Sequence, residues 1–222
     1  MRITPAQNET IEAGAKQTTA AYSQWGKRLF DIVFVLLVLP VVLVPMAILF
    51  VLIAIDGGKP IFSHPRVGKD QKIFGCLKFR TMVRDADVRL KKLLEEDPLA
   101  AEEWATRFKL QDDPRITRIG RIIRKTSLDE LPQLWNVLRG DMSLVGPRPV
   151  TEAEMPLYRH AAEAYYSVRP GVTGIWQVSG RNALNFDERA ALDRRYAAKL
   201  SIFEDIRILA LTLPAVVNRT GS

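Results

Sequence analysis

Cysteine and histidine are scarce: among 222 residues there is one cysteine, Cys76, and two histidines, His64 and His160. A lone cysteine excludes an intrachain disulfide framework and any Cys-rich zinc site, and the two histidines stand too far apart to form a local metal motif. No glycine pattern of the phosphate-loop or dinucleotide-fold type occurs; GVTG lacks the Lys-Ser/Thr of one and the G-x-G-x-x-G of the other. A serine nucleophile elbow is absent as well, and so are internal repeats and low-complexity tracts. Chemistry in this chain therefore leans on carboxylates, hydroxyls and arginines.

What is present is one domain's worth of chain, 47% hydrophobic and 26% charged, which is enough apolar material for a core. Lys and Arg number 32 against 25 Asp and Glu, a net charge of +7. Residues 57–222 hold 28 of those bases and 21 of those acids, so the whole surplus lies there. Such a surplus suits phosphate, in nucleic acid, a nucleotide or an anionic membrane, and charge alone does not separate the three.

From Ile32 to Ile55 runs IVFVLLVLPVVLVPMAILFVLIAI, uncharged and bounded by Asp31 and Asp56. A straight helix of that length reaches about 36 Å, enough to cross a hydrocarbon core of about 30 Å. Pro40 and Pro45 fall in its middle, where each deletes a backbone donor and crowds the preceding turn. The halves they leave are each about half a bilayer long, which predicts a re-entrant hairpin entering and leaving by one face. Lys27 and Arg28 precede the run and Lys59, Arg66, Lys69 and Lys72 follow it, placing both ends on the cytoplasmic side. A spanning helix whose neighbours satisfy the freed carbonyls is the alternative.

The expected fold class is α+β, mainly helical: the membrane hairpin, surface amphipathic helices and a small β-element on a cytosolic catalytic domain. Residues 1–24 read as a mobile N-terminal tail, 25–56 as the membrane segment and 57–222 as the catalytic domain. IFSHPRVG and KIFGCLKFRTM read as strands, and residues 83–111 as two helices divided at Asp97-Pro98. In RITRIGRIIRK, Ile116, Ile119, Ile122 and Ile123 share one arc of a helical wheel, with Arg118, Arg121 and Arg124 opposite. That helix suits either a membrane surface or the protein's own core. SLDELPQLWNVLRG carries a Ser-x-x-Glu capping pattern and ends in Gly140, predicting one helix of about three turns. GDMSLVGPRPV reads as a loop, 151–168 as a helix, RPGVTGIWQVSGRN as a loop or short strand, and 186–200 and 203–217 as helices.

Asp129-Glu130 is the candidate reactive pair. Acids at a helix start have an ordinary explanation in the helix dipole. Their surroundings point further: Arg124 precedes Asp129 by five residues, and KFRTM with Lys78 and Arg80, PRP with Arg148 and SGRN with Arg181 are rigid or Gly/Pro-bounded basic segments. Arginine offers a planar donor fork suited to phosphate. Pro132 suits a helix's first turn, placing the pair at a helix mouth.

KRLFD, KFRTM, QDDPRITRIGRIIRKTSLDELPQLWNVLRGDMSLVGPRP and RPGVTGIWQVSGR together resemble the bacterial sugar transferase family, the monotopic polyprenol-phosphate phosphoglycosyl transferases. The resemblance covers about residues 25–217. It implies transfer of a sugar-1-phosphate from a UDP-sugar to undecaprenyl phosphate on the cytoplasmic face of the bacterial inner membrane, opening exopolysaccharide or other glycoconjugate synthesis. Asp129 matches the family's nucleophile, which forms an aspartyl-phosphosugar intermediate with loss of UMP. Glu130 matches the acid that binds Mg²⁺, while Arg80, Arg124, Arg148 and Arg181 match arginines near the phosphates or nucleotide. Lys27, Arg28 and Asp31 match the entry to the membrane helix, where the charge anchors to membrane-lipid headgroups or holds lipid phosphate. Relatives commonly carry serine before the breaking proline, whereas Leu39 and Val44 stand here.

Two other readings stay open at this level. The lipid phosphate attacks directly, with Asp129 only holding metal, or the chain is a basic membrane-anchored binding module. No nucleic-acid partner is expected, since aromatics are few beside the basic runs and no recognition motif occurs. The sugar is not named by the sequence, and the oligomeric state is open, a homo-oligomer included.

Overall fold

The computed structural model describes residues 22–55, 57–107, 110–179 and 185–217. Most of the expected 1–24 tail lies outside them, as does Arg181.

After a single π turn at Tyr22–Gly26, the apolar run forms one helix, α1 (Lys27–Ile55), with Pro40 and Pro45 inside it. The two helices expected from the prolines are thus one element. A proline removes one helical hydrogen bond, and the bonds on either side carry the helix onward. α1 is buried only near its ends, at Lys27, Asp31 and Val35 and again at Leu49 and Ile53, each set at four-residue spacing. Between them Leu36, Leu37, Val41, Leu43, Val44 and Ile48 are exposed.

The expected strands form an antiparallel hairpin, β1 (Ile61–Val67) and β2 (Ile73–Phe79), in the register Ile61 opposite Phe79. Asp97 separates α2 (Ala86–Glu96) from α3 (Pro98–Arg107), accepting the amides of Leu99 at 2.9 Å and Ala100 at 3.2 Å. Basic helix α4 (Arg118–Lys125) starts at Thr117, whose hydroxyl accepts the Gly120 amide. Ile123 is buried and Ile119 half-buried against the protein, while Ile122 is exposed. α4 therefore packs on the protein's own core.

The dyad segment departs from the single capped helix expected. Ser127 adopts the left-handed conformation, φ 56°, and caps nothing; Leu128–Glu130 is one 3-10 turn. α5 (Gln133–Arg139) begins only after Pro132, whose ring fits a first turn and no later one. GDMSLVGPRPV is not simply a loop. β3 (Ser143–Val145) pairs in parallel with β4 (Gly171–Thr173), all three β3 residues buried. Parallel partners are distant in sequence, so local turn residues gave no sign of them. Residues 151–168 hold a 3-10 stretch, Met155–Ala161, kinked at Arg159, then short α6 (Ala162–Ser167). α7 (Ile175–Val178), α8 (Phe186–Ala198) and α9 (Ile202–Val217, with Pro214 inside) complete the described chain.

The main core joins Val35 of α1 to Cys76 of β2, Val137 of α5, Val145 of β3 and Ile208 of α9. Val35, Val137 and Val145 are wholly buried, each contributing roughly 1.5–3 kcal/mol on leaving water. Asn136 is the polar joint of this core. Its amide donates to the Gly75 carbonyl at 2.8 Å and accepts from the Leu77 amide at 2.9 Å, fastening α5 to β2.

Candidate active site

The 3-10 turn presents its acids because its leucines are taken up elsewhere. Leu128 and Leu131 pack against Leu49 and Ile53 of α1, Phe79 of β2 and Ile123 of α4. Asp129 is buried and Glu130 half-buried. The dyad thus rests one layer of side chains above the far end of the apolar helix.

β2 supplies its cation. Lys78 Nζ lies 2.6 Å from Glu130 Oε1 and 3.8 Å from Asp129 Oδ2, bridging the pair. Asn136, holding the Leu77 amide, fixes the strand next to that lysine. Arg124 approaches from α4, its Nε donating to Thr81 Oγ1 at 2.8 Å. Gly120 allows this approach: a Cβ there would lie 2.0 Å from the Thr81 carbonyl oxygen. Beneath, Arg115 grips Asp113 through two nitrogens at 2.8 and 2.7 Å and lies over the Trp104 ring.

Burial pushes the Asp129 carboxyl up to about 6, Lys78 and Arg124 drawing it down and Glu130 pushing it up. A carboxylate of that basicity is a better nucleophile than an exposed one and is still mostly ionised at pH 7. Burial also lowers the Arg124 guanidinium, while Asp129 and Asp113 act in the opposite direction.

A narrow cleft opens beside Glu130, lined by Arg66, Lys78, Glu130, Gln133, Arg148 and Gln177 among others. Arg148 lies 5.6 Å over the Trp176 ring, and Arg189 lies 4.7 Å from the same ring. Arg66 is tied to Glu154 at 3.1 Å, and that carboxylate also accepts the amide and hydroxyl of Thr151. The cleft is therefore strongly cationic, with Glu130 the acid on its wall.

Asp129 and Glu130 share Lys78, Arg124 lies within electrostatic reach of Asp129, and Arg148 lines the cleft with Glu130, while other expected residues lie elsewhere. Arg80 is not on the cleft wall; its Nη2 donates to the Ile53 carbonyl at 2.9 Å, capping the end of α1. Lys27 and Asp31 are not turned to headgroups. Lys27 Nζ lies 2.9 Å from Asp31 Oδ1 and 3.0 Å from Asp205 Oδ2, and Asp31 also accepts the Ser143 hydroxyl and the Leu144 amide. Arg28 donates to the Val137 and Leu138 carbonyls at the end of α5. A buried charge is retained when its partners lie inside the protein, and apart from the Lys27–Asp31 pair, which is one helical turn apart, these partners are more than 100 residues away in the chain. Lys78 stands out in the sequence only as a basic residue of KFRTM, with no role at the dyad, and Trp176, under Arg148, does not stand out at all. Strand alternation puts Lys78 opposite core residue Phe79, but alternation does not say which strand faces the dyad.

Among the described residues no three Asp, Glu, His or Cys side chains gather as a metal cage. Two adjacent carboxylates nevertheless fit Mg²⁺, a hard cation that takes one or two protein carboxylates and completes its shell with substrate phosphates and water.

An acid pair under a lysine, beside an arginine-bearing cleft and seated on the end of one long apolar helix, is set in a mainly helical α+β fold. The family model described as bacterial sugar transferase matches residues 22–219, and this chain belongs to that family. It is 50% identical over 200 residues to the UDP-galactose-lipid carrier transferase of Erwinia amylovora, covering 90% of this chain and 42% of that protein. It is 48% identical, with the same coverage, to the undecaprenyl-phosphate galactose phosphotransferase of Salmonella typhimurium. With the exopolysaccharide production protein ExoY of Rhizobium meliloti it shares 46% identity over 88% of this chain and 87% of that one. The chain thus spans about two fifths of the length of the first two relatives and most of the third.

Proposed function

We propose that this protein transfers a hexose-1-phosphate from a UDP-sugar to undecaprenyl phosphate, releasing UMP, as the first membrane step of exopolysaccharide synthesis. The observation that carries the reading is the buried Asp129 beside Glu130, held by Lys78 and facing Arg124. The activities that the relatives from Erwinia and Salmonella are named for agree with it.

In the first step an Asp129 carboxylate oxygen attacks the sugar-bearing phosphorus of the donor. The bond from that phosphorus to the bridging oxygen breaks, and UMP leaves with the electron pair. In the second, a phosphate oxygen of the lipid attacks the same phosphorus and the Asp129 carboxylate departs. Splitting the transfer lets a soluble and a membrane-bound substrate use one site in turn. Each step drives anion against anion, so Lys78, Arg124 and Arg148 serve to spread the negative charge of the phosphates. Glu130, with Asp129 beside it, would hold Mg²⁺, which when bound neutralises diphosphate charge.

α1 is read as re-entrant. Twenty-nine residues of straight helix measure about 43 Å. Yet Arg28 bonds α5, and Ile53, near the other end, packs on Phe79, a strand neighbour of the Leu77 that bonds α5. Both ends on one globular body, with two prolines between, fit entry and exit on the cytoplasmic face of the inner membrane. An impermeant thiol reagent should label neither a cysteine at Gln24 nor one at exposed Lys59 from outside the cell; labelling of one alone makes α1 a span.

The deciding experiment supplies UDP-galactose and Mg²⁺ without lipid. Wild-type protein should release one UMP per active site and gain the mass of a phosphohexose; Asp129→Asn should do neither. UMP release that requires the lipid, with no adduct, would establish direct attack instead.

A further inference from the structure

Where α1 ends, two arginines meet that the two steps above do not use. Arg80 Nη2 caps the Ile53 carbonyl, and Arg84 lies over the Gly57-Gly58 turn that follows. A Cβ on Gly58 would stand 2.8 Å from Arg84 Nε and 3.3 Å from Arg80 Nη1, so those nitrogens are at most 6.1 Å apart, the sum of the two distances. Gly57 and Gly58 have φ of 80° and 94°, the left-handed region, and any side chain at Gly58 would occupy the place of the guanidiniums. The turn is therefore built to let two like charges lie side by side against the backbone.

Like charges brought together need an anion between them. Among the described residues no carboxylate lies within ion-pair distance of Arg80 or Arg84, and the buried Arg80 Nε has no hydrogen-bond partner. Because the apolar run stops at Ile55, the pair stands at the height where lipid phosphates lie. It is also joined to the dyad. Thr81, next in the chain, accepts Arg124 Nε, and Arg124 lies within electrostatic reach of Asp129.

We propose that Arg80 and Arg84 receive the phosphate monoester of the polyprenyl acceptor and hold it at the membrane surface for the second transfer step. The proposal rests on the transferase reading above. A guanidinium pair suits a monoester because it offers paired N–H donors and two positive charges to a group that carries up to two negative ones. A headgroup phosphodiester presents similar oxygens, with one charge, and is the other source of such a ligand.

The test uses the full chain in phosphatidylcholine nanodiscs, with undecaprenyl phosphate titrated at saturating UDP-galactose. Arg84→Ala should raise the KM for undecaprenyl phosphate about tenfold, the size of one lost charge-assisted hydrogen bond, and Arg84→Lys should recover part of it. Arg80→Lys, which keeps the charge and loses the Nε fork, should move in the same direction. Lipid-free UMP release and the KM for UDP-galactose should stay within about twofold of wild type, because the first step has no lipid in it. An unchanged acceptor KM in Arg84→Ala, or an equal loss in the lipid-free step, overturns the acceptor site while leaving the transferase reading intact. Weaker flotation with phosphatidylglycerol vesicles at unchanged acceptor KM makes the pair a headgroup anchor and also overturns it. Wild-type protein that releases no UMP overturns both.

Discussion

The two ends of α1 carry cations in opposite states. At the N-terminal end Lys27 is enclosed by Asp31 and Asp205, and Asp205 also accepts the hydroxyls of Tyr22 and Tyr196. At the C-terminal end Arg80 bonds one carbonyl and keeps a buried Nε without a partner, beside Arg84. The first junction has its charges paired inside the protein and holds the helix to the body, with one Asp31 oxygen left without a hydrogen-bond partner. The second is cationic and open, as is the cleft beyond the dyad. Internal pairing marks a structural charge, and cations gathered with too few acids mark a place for substrate phosphate.

That contrast breaks most sharply at Lys27. Lys27→Met leaves the carboxylates of Asp31 and Asp205 buried without their cation and should cost about 3–5 kcal/mol of stability. Thermal or denaturant unfolding in detergent measures it, and a variant as stable as wild type would remove the distinction between the junctions. In the cleft, Lys78→Ala should leave the unfolding midpoint nearly unchanged and slow UMP release roughly 100-fold, in line with loss of one charge-stabilising group. Loss of stability instead of rate would put Lys78 with the structural charges.

The smallest effect concerns pH. Asp193 of α8 is enclosed, bonded by Tyr158 Oη at 2.8 Å, with Arg189 on its own helix, and burial pushes its carboxyl up to about 7. A carboxyl raised on folding favours the protonated fold. Its contribution is full below about pH 4 and is lost as pH climbs through about 7. Asp193→Asn keeps an acceptor for Tyr158 and should flatten that fall by about 1–2 kcal/mol across the window. Denaturant midpoints at pH 4.5 and 7.5 compare the two proteins; parallel slopes would show that Asp193 is not the group responsible.

Local chemistry made much of the fold legible. The β1–β2 hairpin, the division at Asp97-Pro98, α8 and the apolar run all stand where the residues indicate. Each depends on neighbours a few positions away: alternating apolar residues, a capping carboxylate, a proline. The dyad was legible because its two acids are adjacent. Its lysine was not, since Lys78 reaches Glu130 across 52 positions of chain. The same limit explains Ser127, whose capping pattern is correct locally but whose backbone turns left-handed where Leu128 and Leu131 are drawn into the α1 interface. It explains Arg80 and Lys27 too, whose charge was visible but whose distant partners, the Ile53 carbonyl and Asp205, were not.

By itself, then, the sequence determined the kinds of chemistry open to this protein: carboxylates and guanidiniums without thiol or imidazole clusters, an uncharged run long enough for lipid, and the motifs of one family. Tertiary structure alone decided which cations line the cleft and which are sealed inside. The sign of a charge is written in one residue, but its energy depends on how much water it keeps and which opposite charges lie within a few ångströms. Both are properties of the packed chain.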